Sequence, residues 1–321
     1  MYVYRETNKI MSKTGAITHE IGVNENGRRL DNFLTGFLKN VPKSFIYRII
    51  RRGEVRVNGS RSRPHRKLVT ADRVRIPPMT IVEQGDQVIG AQKLEQISRS
   101  IIFENDSTLV INKPAGFAVH AGSGLLFGVI DIVRRLRPND PEIELVHRID
   151  RDTSGCLLLA KNYPALRHLQ NQIADPSSEK TYLSLLHGEL SEPTLDVDLR
   201  LSTIRIGGEK KTIPAADGKE AHTCFTTIEK FSGMTLAQAR ITTGRTHQIR
   251  AHAAAIGNPV IGDKKYAAAA QQDMARDLGL RRMFLHASSL TIKTSTDEPA
   301  VRIEAPLSSD LEELLRALRC Q

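Results

Sequence analysis

The stretch that most constrains the fold of this chain is a dense polar loop between two apolar segments, at residues 145–159. Leu-Val leads into His-Arg-Ile-Asp-Arg-Asp-Thr-Ser, and a Gly then opens the apolar run Cys-Leu-Leu-Leu. Short apolar runs bounded by turn residues are typical of buried strands, so the sequence predicts strand, loop, strand. Polar residues on a loop between rigid strands are candidates for function.

Asp150 is the candidate reactive group of this loop. It lies between Arg148 and Arg151, and two nearby cations favour an ionised carboxylate. An ionised carboxylate can act as a nucleophile or a base. The alternative is a solvated cluster of ion pairs, in which Arg148 pairs with Asp152, and the loop residues alone favour that alternative.

The positive charge of the chain is concentrated in one segment. The net charge is +10 over 321 residues, and residues 28–75 hold fourteen Lys or Arg against three Asp or Glu. Such a basic module beside a nearly neutral remainder is typical of a domain that binds a polyanion. An acidic membrane is the competing partner, but no lipidation motif, anchor helix or apolar run of membrane length is evident. We therefore expect a soluble, cytoplasmic protein that binds nucleic acid.

The basic segment has the pattern of two helices followed by short strands. Apolar residues recur at helical spacing over 30–38, a second helix is expected over 44–52, and strands are expected at 55–57 and 74–76. Three aromatic residues fall on the apolar helix faces and are expected in the core: Phe33, Phe37 and Tyr47. Five cations are the candidate RNA contacts: Lys43, Arg48, Arg51, Arg52 and Arg56.

Three short motifs of this segment resemble the S4 RNA-binding domain. They are Arg-Leu-Asp at 29–31, Gly-Glu-Val-x-Val-Asn at 53–58 and Asp-x-Val at 72–74. The resemblance implies a small αα-β module that binds structured RNA, which is recognised largely by shape and backbone. Because S4-like modules also occur in ribosomal proteins and transfer-RNA ligases, the resemblance implies nothing about chemistry.

Two further motifs lie on either side of the polar loop. Asn-Lys-Pro-x-Gly at 112–116 follows an apolar strand, and its Lys113 is expected to be either structural or a phosphate contact. Gly-Arg-Thr-His-Gln-Ile-Arg at 244–250 is expected to begin a helix that Thr246 caps.

No cofactor is expected. His247 and His252 lack the intervening Glu of a zinc-binding helix, and neither a dinucleotide fingerprint nor a phosphate-binding Gly-Lys-Ser/Thr loop occurs. The three cysteines are odd in number and widely spaced, which predicts neither a disulfide framework nor a zinc site, and Cys156 is expected to be buried.

These motifs, in this order, resemble the RNA pseudouridine synthases that modify large-subunit ribosomal RNA and some transfer RNAs. His-Arg-Ile-Asp-x-x-Thr-Ser-Gly at 147–155 is their signature loop, with Ile149 where Leu is usual. The resemblance implies an α+β fold with a mixed, mainly antiparallel sheet in the catalytic domain. It also implies that Asp150 is the catalytic residue, acting without a cofactor; attack on C1′, addition to C6 and removal of the 2′ proton stay open as its role.

The same resemblance implies substrate-binding roles for four residues. Tyr182, in a Lys-x-Tyr strand motif, is implied to stack against the target uracil, although its own sequence context favours a half-buried strand tyrosine. Arg250 is implied to pair with Asp150, and Arg245 is the second choice. Arg148 is implied to hold the nucleotide that has left its stack, or the phosphate of that nucleotide.

The chain is therefore predicted to contain a flexible tail at 1–26, an S4-like domain at 27–78, a linker at 79–99 and a catalytic domain at 100–321. The predicted activity is the isomerisation of specific uridines in 23S (large-subunit) ribosomal RNA by a monomer. Two alternatives stay open, namely the same chemistry on transfer RNA and a non-catalytic RNA-binding protein of ribosome assembly.

Overall fold

A computed structural model of the chain describes residues 10–38, 41, 43–83, 89–121, 127–207, 209–295 and 298–320, without the side chains of 10–14 and 80–83. The chain divides into two units, Met1–Val88 and Ile89–Gln321. The division falls inside the segment 79–99 that was predicted to be a linker.

The first unit consists of two helices and short strands. Its elements are β1 (Ile10–Thr14), β2 (Ile17–Glu20), α1 (Leu30–Phe37), α2 (Lys43–Arg51), β3 (Arg56–Val57), β4 (Ser60–Arg61), β5 (Arg73–Ile76) and β6 (Met79–Glu83). Within its described residues, one sheet has the order β2-β5-β3-β4, and β1 pairs separately with β6. Both helices and the sheet share one apolar core, to which Leu34, Ile46 and Val74 belong. The predicted helix pair and its strands are present within one or two residues.

Regular structure extends into both segments that were predicted to lack it. Strand β2 pairs with β5, and Ile21 after it is buried in the core, so the prediction of a flexible tail is wrong for residues 10–25. Residues 79–83 form β6 and residues 91–99 form a helix, so the linker prediction is also wrong there. The tail's partner strand is distant in sequence and β2 buries few side chains, so no local alternation marks it. Residues 1–9 and 84–88 lie outside the described residues.

The aromatic residues of α1 and α2 do not all lie in the core. Phe33 is buried as predicted, but Phe37 and Tyr47 are each 37% exposed, so the prediction was wrong for these two. The Tyr47 hydroxyl instead donates a 2.8 Å hydrogen bond to the buried carboxylate of Asp31. Arg29 donates two more hydrogen bonds to the same carboxylate, at 3.1 and 2.7 Å. A buried charge needs such partners, which accounts for the Arg-Leu-Asp motif and for the outward position of Tyr47.

The second unit contains the polar loop and the remaining motifs. Its elements are α3 (Ala91–Arg99), β7 (Ile101–Glu104), β8 (Thr108–Lys113), α4 (Val129–Leu136), β9 (Glu144–Leu145), β10 (Ser154–Ala160), α5 (Tyr163–Ala174), β11 (Lys180–His187), β12 (Thr194–Val197), β13 (Leu201–Ile206), β14 (Glu209–Pro214), β15 (Thr223–Phe231), β16 (Met234–Ile241), α6 (Gln248–Ala255), α7 (Ala269–Asp277), β17 (Leu285–Ile292), β18 (Val301–Glu304) and α8 (Ser309–Arg319).

One mixed sheet organises this unit. Among the described residues its order is β12-β15-β16-β11-β17-β10-β8-β7, with β9 beside β10 and β18 beside β17. Strands β10 and β17 run parallel, and the other paired strands of this sheet are antiparallel. The predicted α+β class with a mainly antiparallel sheet is confirmed. Strands β13 and β14 form a separate hairpin.

Strand β10 is the buried centre of the sheet. Leu157 packs in one apolar cluster with α3 and α4, whereas its neighbour Leu158 packs in another cluster with α5. Successive side chains of a strand point to opposite faces, so helices cover β10 on both sides. Cys156 is buried here as predicted. The polar loop leads directly into this rigid strand, so the strand fixes the C-terminal end of the loop.

No helix within the described part of the chain is both long and apolar enough to cross a membrane.

Candidate active site

Lys113 braces the polar loop from the Asn-Lys-Pro-x-Gly motif. Its side chain is buried, and its ammonium donates hydrogen bonds of 2.9 Å to the carbonyls of Pro114, Phe117 and Arg151. Burial lowers the pKa of Lys113 to about 7, although the charges of Asp152 and Asp150 counteract this. Because three donors exist only on the protonated amine, the three carbonyls favour the cation. Of the two predicted roles, the contacts support the structural one.

The Ser-Gly pair at the end of the loop is fixed by β17. Ser154 lies 2.9 Å from Nδ1 of His286, and its hydroxyl accepts a 3.0 Å hydrogen bond from Arg282. Gly155 has φ +106°, and a Cβ there would lie 2.2 Å from the carbonyl oxygen of Ala287. Only glycine fits this close approach of backbones, which accounts for its place in the motif.

Asp150 is held at one oxygen. Arg250 donates from Nη1 to Oδ2 at 2.8 Å, and Nε2 of His247 lies 3.8 Å from the same Oδ2. Among the described residues, no hydrogen bond or ion pair reaches Oδ1. The side chain of Asp150 is 20% exposed and lines a pocket, and Oδ2 is the oxygen that these contacts fix.

Arg250 is in turn fixed by a second carboxylate. Asp263 accepts from its Nε at 2.7 Å and from its Nη2 at 2.9 Å, and the Asp263 side chain is fully buried. Burial alone would lower the pKa of Arg250, but the hydrogen bonds and charges of Asp263 and Asp150 raise it above its ordinary value. The ring of Tyr266 lies 5.0 Å from the guanidinium. Arg250 is therefore a permanent cation in one orientation.

The start of α6 differs from the prediction. His247 rather than Thr246 occupies the N-terminal cap, in the left-handed region with φ 52°. The side chain of Gln248 folds back, accepting 3.0 Å from Arg245 N–H and 2.8 Å from the Thr243 hydroxyl. The prediction was wrong because the chain enters α6 through a left-handed residue, His247, after a turn that Gln248 holds, and the motif's spacing reveals neither feature.

A pocket collects the predicted site residues. Its lining includes Arg148, Asp150, Tyr182, Arg245, His247 and Arg250. Burial, and then the charge of Asp150, raise the pKa of Tyr182, so this phenol is neutral. Arg245 donates from Nε to the Glu220 carbonyl at 2.9 Å rather than to Asp150. Arg148 is exposed and, within the described chain, pairs with neither Asp152 nor another acid.

Three residues of this site were missed in the sequence or considered only as metal ligands. The sequence motifs suggest His247 only as a metal ligand and do not indicate Asp263 or Tyr266. Asp263 lies thirteen positions after Arg250, a spacing that belongs to no helix or strand period. Only the fold brings these two side chains together. In the described part of the chain, no three His, Cys, Asp or Glu side chains are grouped closely enough to hold a metal ion.

The candidate RNA contacts of the first unit lie on α2, immediately after it and on β3; Arg52, which follows α2, also lies 3.8 Å from Glu54. Lys43, Arg48, Arg51 and Arg52 are exposed, and Arg56 is partly buried. Arg51 donates 3.3 Å to the Tyr47 carbonyl of its own helix, and the guanidinium of Arg48 lies 4.6 Å from the Phe45 ring centre. These contacts leave the charges accessible to phosphate.

Comparison with known proteins matches both units. The family model described as RNA pseudouridylate synthase matches residues 107–255, and the S4 domain model matches residues 28–74. Two solved structures resemble the chain, human RNA pseudouridylate synthase domain containing 4 and domain containing 1. The first has TM-score 0.59 and 21% identity over 71% of this chain and 96% of its own. The second has TM-score 0.52 and 26% identity over 69% of this chain and 95% of its own.

Curated relatives match almost the whole chain. Ribosomal large subunit pseudouridine synthase C of Yersinia pestis is 44% identical over 302 residues, which are 93% of this chain and 94% of the relative. The protein of the same name from Escherichia coli K12 is 43% identical over 93% of this chain and 95% of its own length. The chain therefore belongs to the RNA pseudouridine synthase family. In this chain the synthase domain follows an S4 domain.

Proposed function

We propose that this enzyme converts uridines of large-subunit ribosomal RNA into pseudouridine, with Asp150 as the catalytic residue. The observation that carries the chemistry is the asymmetry of the Asp150 carboxylate, whose Oδ2 binds Arg250 at 2.8 Å while Oδ1 has no partner among the described residues. The observation that favours the substrate is the name shared by relatives that match 93% of the chain.

The reaction requires little more than this pocket offers. The N1–C1′ bond of uridine breaks, a C5–C1′ bond forms, the C5 proton leaves to solvent and N1 gains a proton. No electron is gained or lost, and no group is transferred to another molecule. The free Oδ1 of Asp150 acts on the nucleotide, while Arg250 stabilises the charge on the other oxygen. Ordinary glycosidases use two carboxylates, and Asp263 cannot serve as the second because Arg250 binds both of its oxygens.

The target base has to leave its stack to reach Asp150. Tyr182, a neutral and partly buried ring in the pocket, stacks against the uracil. Arg148 and Arg245 line the same pocket, and their guanidinium groups bind the phosphates of the flipped nucleotide. The exposed cations of α2 in the S4 domain bind RNA phosphates elsewhere. We also propose that the protein acts as a cytoplasmic monomer, and sedimentation velocity of the purified chain tests its oligomeric state.

Release of tritium from C5-labelled uridine in a large-subunit ribosomal RNA transcript tests the proposal. We expect activity in the parent enzyme and a loss of at least about a thousandfold in Asp150→Asn, which keeps shape but removes the charge. Asp152→Asn is the matched control, because it changes an exposed acid of the same loop, and its activity should remain near that of the parent.

Three outcomes would contradict this assignment. Equal activity in Asp150→Asn and the parent would remove Asp150 from the chemistry. Release from transfer RNA but not from ribosomal RNA would change the substrate. A parent that binds ribosomal RNA tightly but releases no tritium from either RNA would favour a role in ribosome assembly.

A further inference from the structure

The hairpin of β13 and β14 is attached to the active site through one tyrosine. The backbone N–H of Thr212, on the returning strand, donates 2.9 Å to the hydroxyl of Tyr266. Nearby, Lys265 donates 2.9 Å to the carbonyl of Lys210, and Nζ of Lys211 lies 5.3 Å from the Tyr266 ring centre. The returning strand of the hairpin, close to its turn, is therefore fixed to the segment that follows Asp263.

The Tyr266 hydroxyl has a second partner, Nδ1 of His247, at 3.0 Å. The Thr212 N–H can only donate, so it occupies a lone pair of the phenol oxygen and leaves the phenol proton for Nδ1. When Nδ1 accepts, a neutral imidazole carries its proton on Nε2. Burial lowers the pKa of His247, although Asp150 counteracts this, so the neutral ring is the relevant form.

The other side of the imidazole supports the same tautomer. Nε2 of His247 lies 3.8 Å from Oδ2 of Asp150, which is the oxygen that Arg250 binds. A proton on Nε2 directs a positive dipole end at the carboxylate, whereas the opposite tautomer would direct a lone pair at it. Besides Asp150, the charged groups that act on His247 are Arg250, Lys265 and Asp263. Both neighbours of the ring thus favour the proton on Nε2.

Tyr266 also contacts the other partner of Asp150. Its ring lies 5.0 Å from the guanidinium of Arg250 and meets the His247 ring edge to face, with centroids 5.8 Å apart and an angle of 89°. One side chain therefore packs against both groups that approach Oδ2 of the carboxylate.

We propose that Tyr266 is a positioning residue that, together with the Thr212 N–H, fixes His247 as the Nε2–H tautomer and so links the hairpin to the reactive carboxylate. The relay explains why His247 is held in a left-handed conformation at φ 52°, since that backbone directs its ring between Tyr266 and Asp150. The effect of the relay on catalysis depends on the proposed function, but the tautomer itself does not.

Nitrogen NMR of the full chain with labelled histidine tests the tautomer directly. Of the ten histidines, His247 is assigned by the signal that disappears in His247→Gln. In the parent protein we expect a protonated Nε2 and an unprotonated Nδ1, and in Tyr266→Phe, where only Asp150 still favours this form, a larger share of the Nδ1–H tautomer. An unchanged tautomer in Tyr266→Phe, or Nδ1–H in the parent, would overturn the relay.

Kinetics of tritium release test the link to the reaction. Tyr266→Phe removes one hydroxyl and keeps the ring against Arg250, so we expect kcat to fall about five- to tenfold with KM within about twofold. His247→Gln can still donate towards Asp150 and should exceed His247→Leu in activity, at equal backbone strain.

Tyr163→Phe, which alters a tyrosine of α5 outside the pocket lining, is the control for loss of a phenol hydroxyl. An altered tautomer with an unchanged kcat would overturn the positioning role while leaving the relay intact. If the parent enzyme released no tritium, the proposed function would fail, and the NMR result would still decide whether the relay exists.

Discussion

Arg250 of the second unit and the arginines of α2 in the first unit are used in opposite ways. The Arg250 side chain is 12% exposed and binds two carboxylates. Its charge is therefore neutralised inside the protein, and its position is fixed. The arginines of α2 project into solvent, and Arg51 contacts a carbonyl of its own helix. A buried, doubly paired cation orients the carboxylates that it binds, whereas an exposed one can exchange water for phosphate. Substitutions in the two units should therefore alter different properties.

The largest effect is expected at Arg250. Arg250→Met leaves the fully buried carboxylate of Asp263 without its cation, and breaking a buried pair in this way costs about 3–5 kcal/mol of unfolding free energy. Urea unfolding followed by circular dichroism measures that cost, and tritium release should be lost with it.

A double variant separates the two losses. Arg250→Met with Asp263→Asn removes the orphaned charge, so most of the stability should return while activity stays absent. If the single variant unfolded at the same urea concentration as the parent, the buried pair would be irrelevant to stability and the contrast with the exposed arginines would fail.

Burial in the catalytic unit also predicts a pH dependence of stability. Burial, with Lys180 nearby, lowers the pKa of His147 from 6.5 to about 4, and its Nε2 accepts 3.1 Å from the Leu158 N–H. Between these two pKa values the unfolded chain binds a proton that the folded chain does not. Stability should therefore fall as pH drops from 6.5 to 4, by about 2–3 kcal/mol from this group.

Urea unfolding at several pH values, on the parent and His147→Gln, isolates this contribution. Glutamine can accept the same N–H but does not titrate, so the variant should show a shallower dependence below pH 6.5. If the unfolding free energies of the two proteins depended equally on pH, the pKa of His147 would not be lowered in the folded protein.

A smaller effect is expected at Lys113, which tests the same contrast between buried and exposed cations. Lys113→Met keeps the aliphatic stem and removes the three hydrogen bonds to the loop carbonyls, which should cost about 1–2 kcal/mol of unfolding free energy. Because one of those carbonyls belongs to Arg151, beside Asp150, the rate of tritium release should also fall. Lys93→Met, at an exposed position of α3, is the control. A Lys113→Met enzyme with parental stability and rate would mean that other contacts hold the loop.

The sequence predicts best where burial follows a local period. The helices predicted over 30–38 and 44–52 lie within one residue of α1 and α2, and the apolar run that follows the polar loop correctly marked β10 as a buried strand. The motif loops were also recognisable, because their glycines and charges occur at fixed spacing. Both kinds of feature are encoded within a few neighbouring residues.

The features that sequence missed depend on distant parts of the chain. The pairing of β2 with β5 and the ion pair of Arg250 with Asp263 join segments without any shared period. The burial of Lys113 is equally hidden, because a lysine is normally exposed and only the three carbonyls around it make burial tolerable. Individual helices and strands were therefore predictable from local pattern and the fold class from the family resemblance, whereas the contacts that hold the Asp150 carboxylate required coordinates.

The smallest expected effect is the salt dependence of RNA binding. If the exposed arginines at the end of α2 and just after it bind phosphates, the double variant Arg51→Gln, Arg52→Gln should bind ribosomal RNA several-fold more weakly, and the slope of log affinity against log salt should drop by about 1–2. Arg99→Gln with Arg316→Gln removes the same charge from exposed, acid-paired positions of α3 and α8 and should leave the slope nearly unchanged. Equal slopes for both double variants would mean that net charge, rather than the position of α2, governs binding. The contrast between exposed and buried arginines would then apply to stability alone.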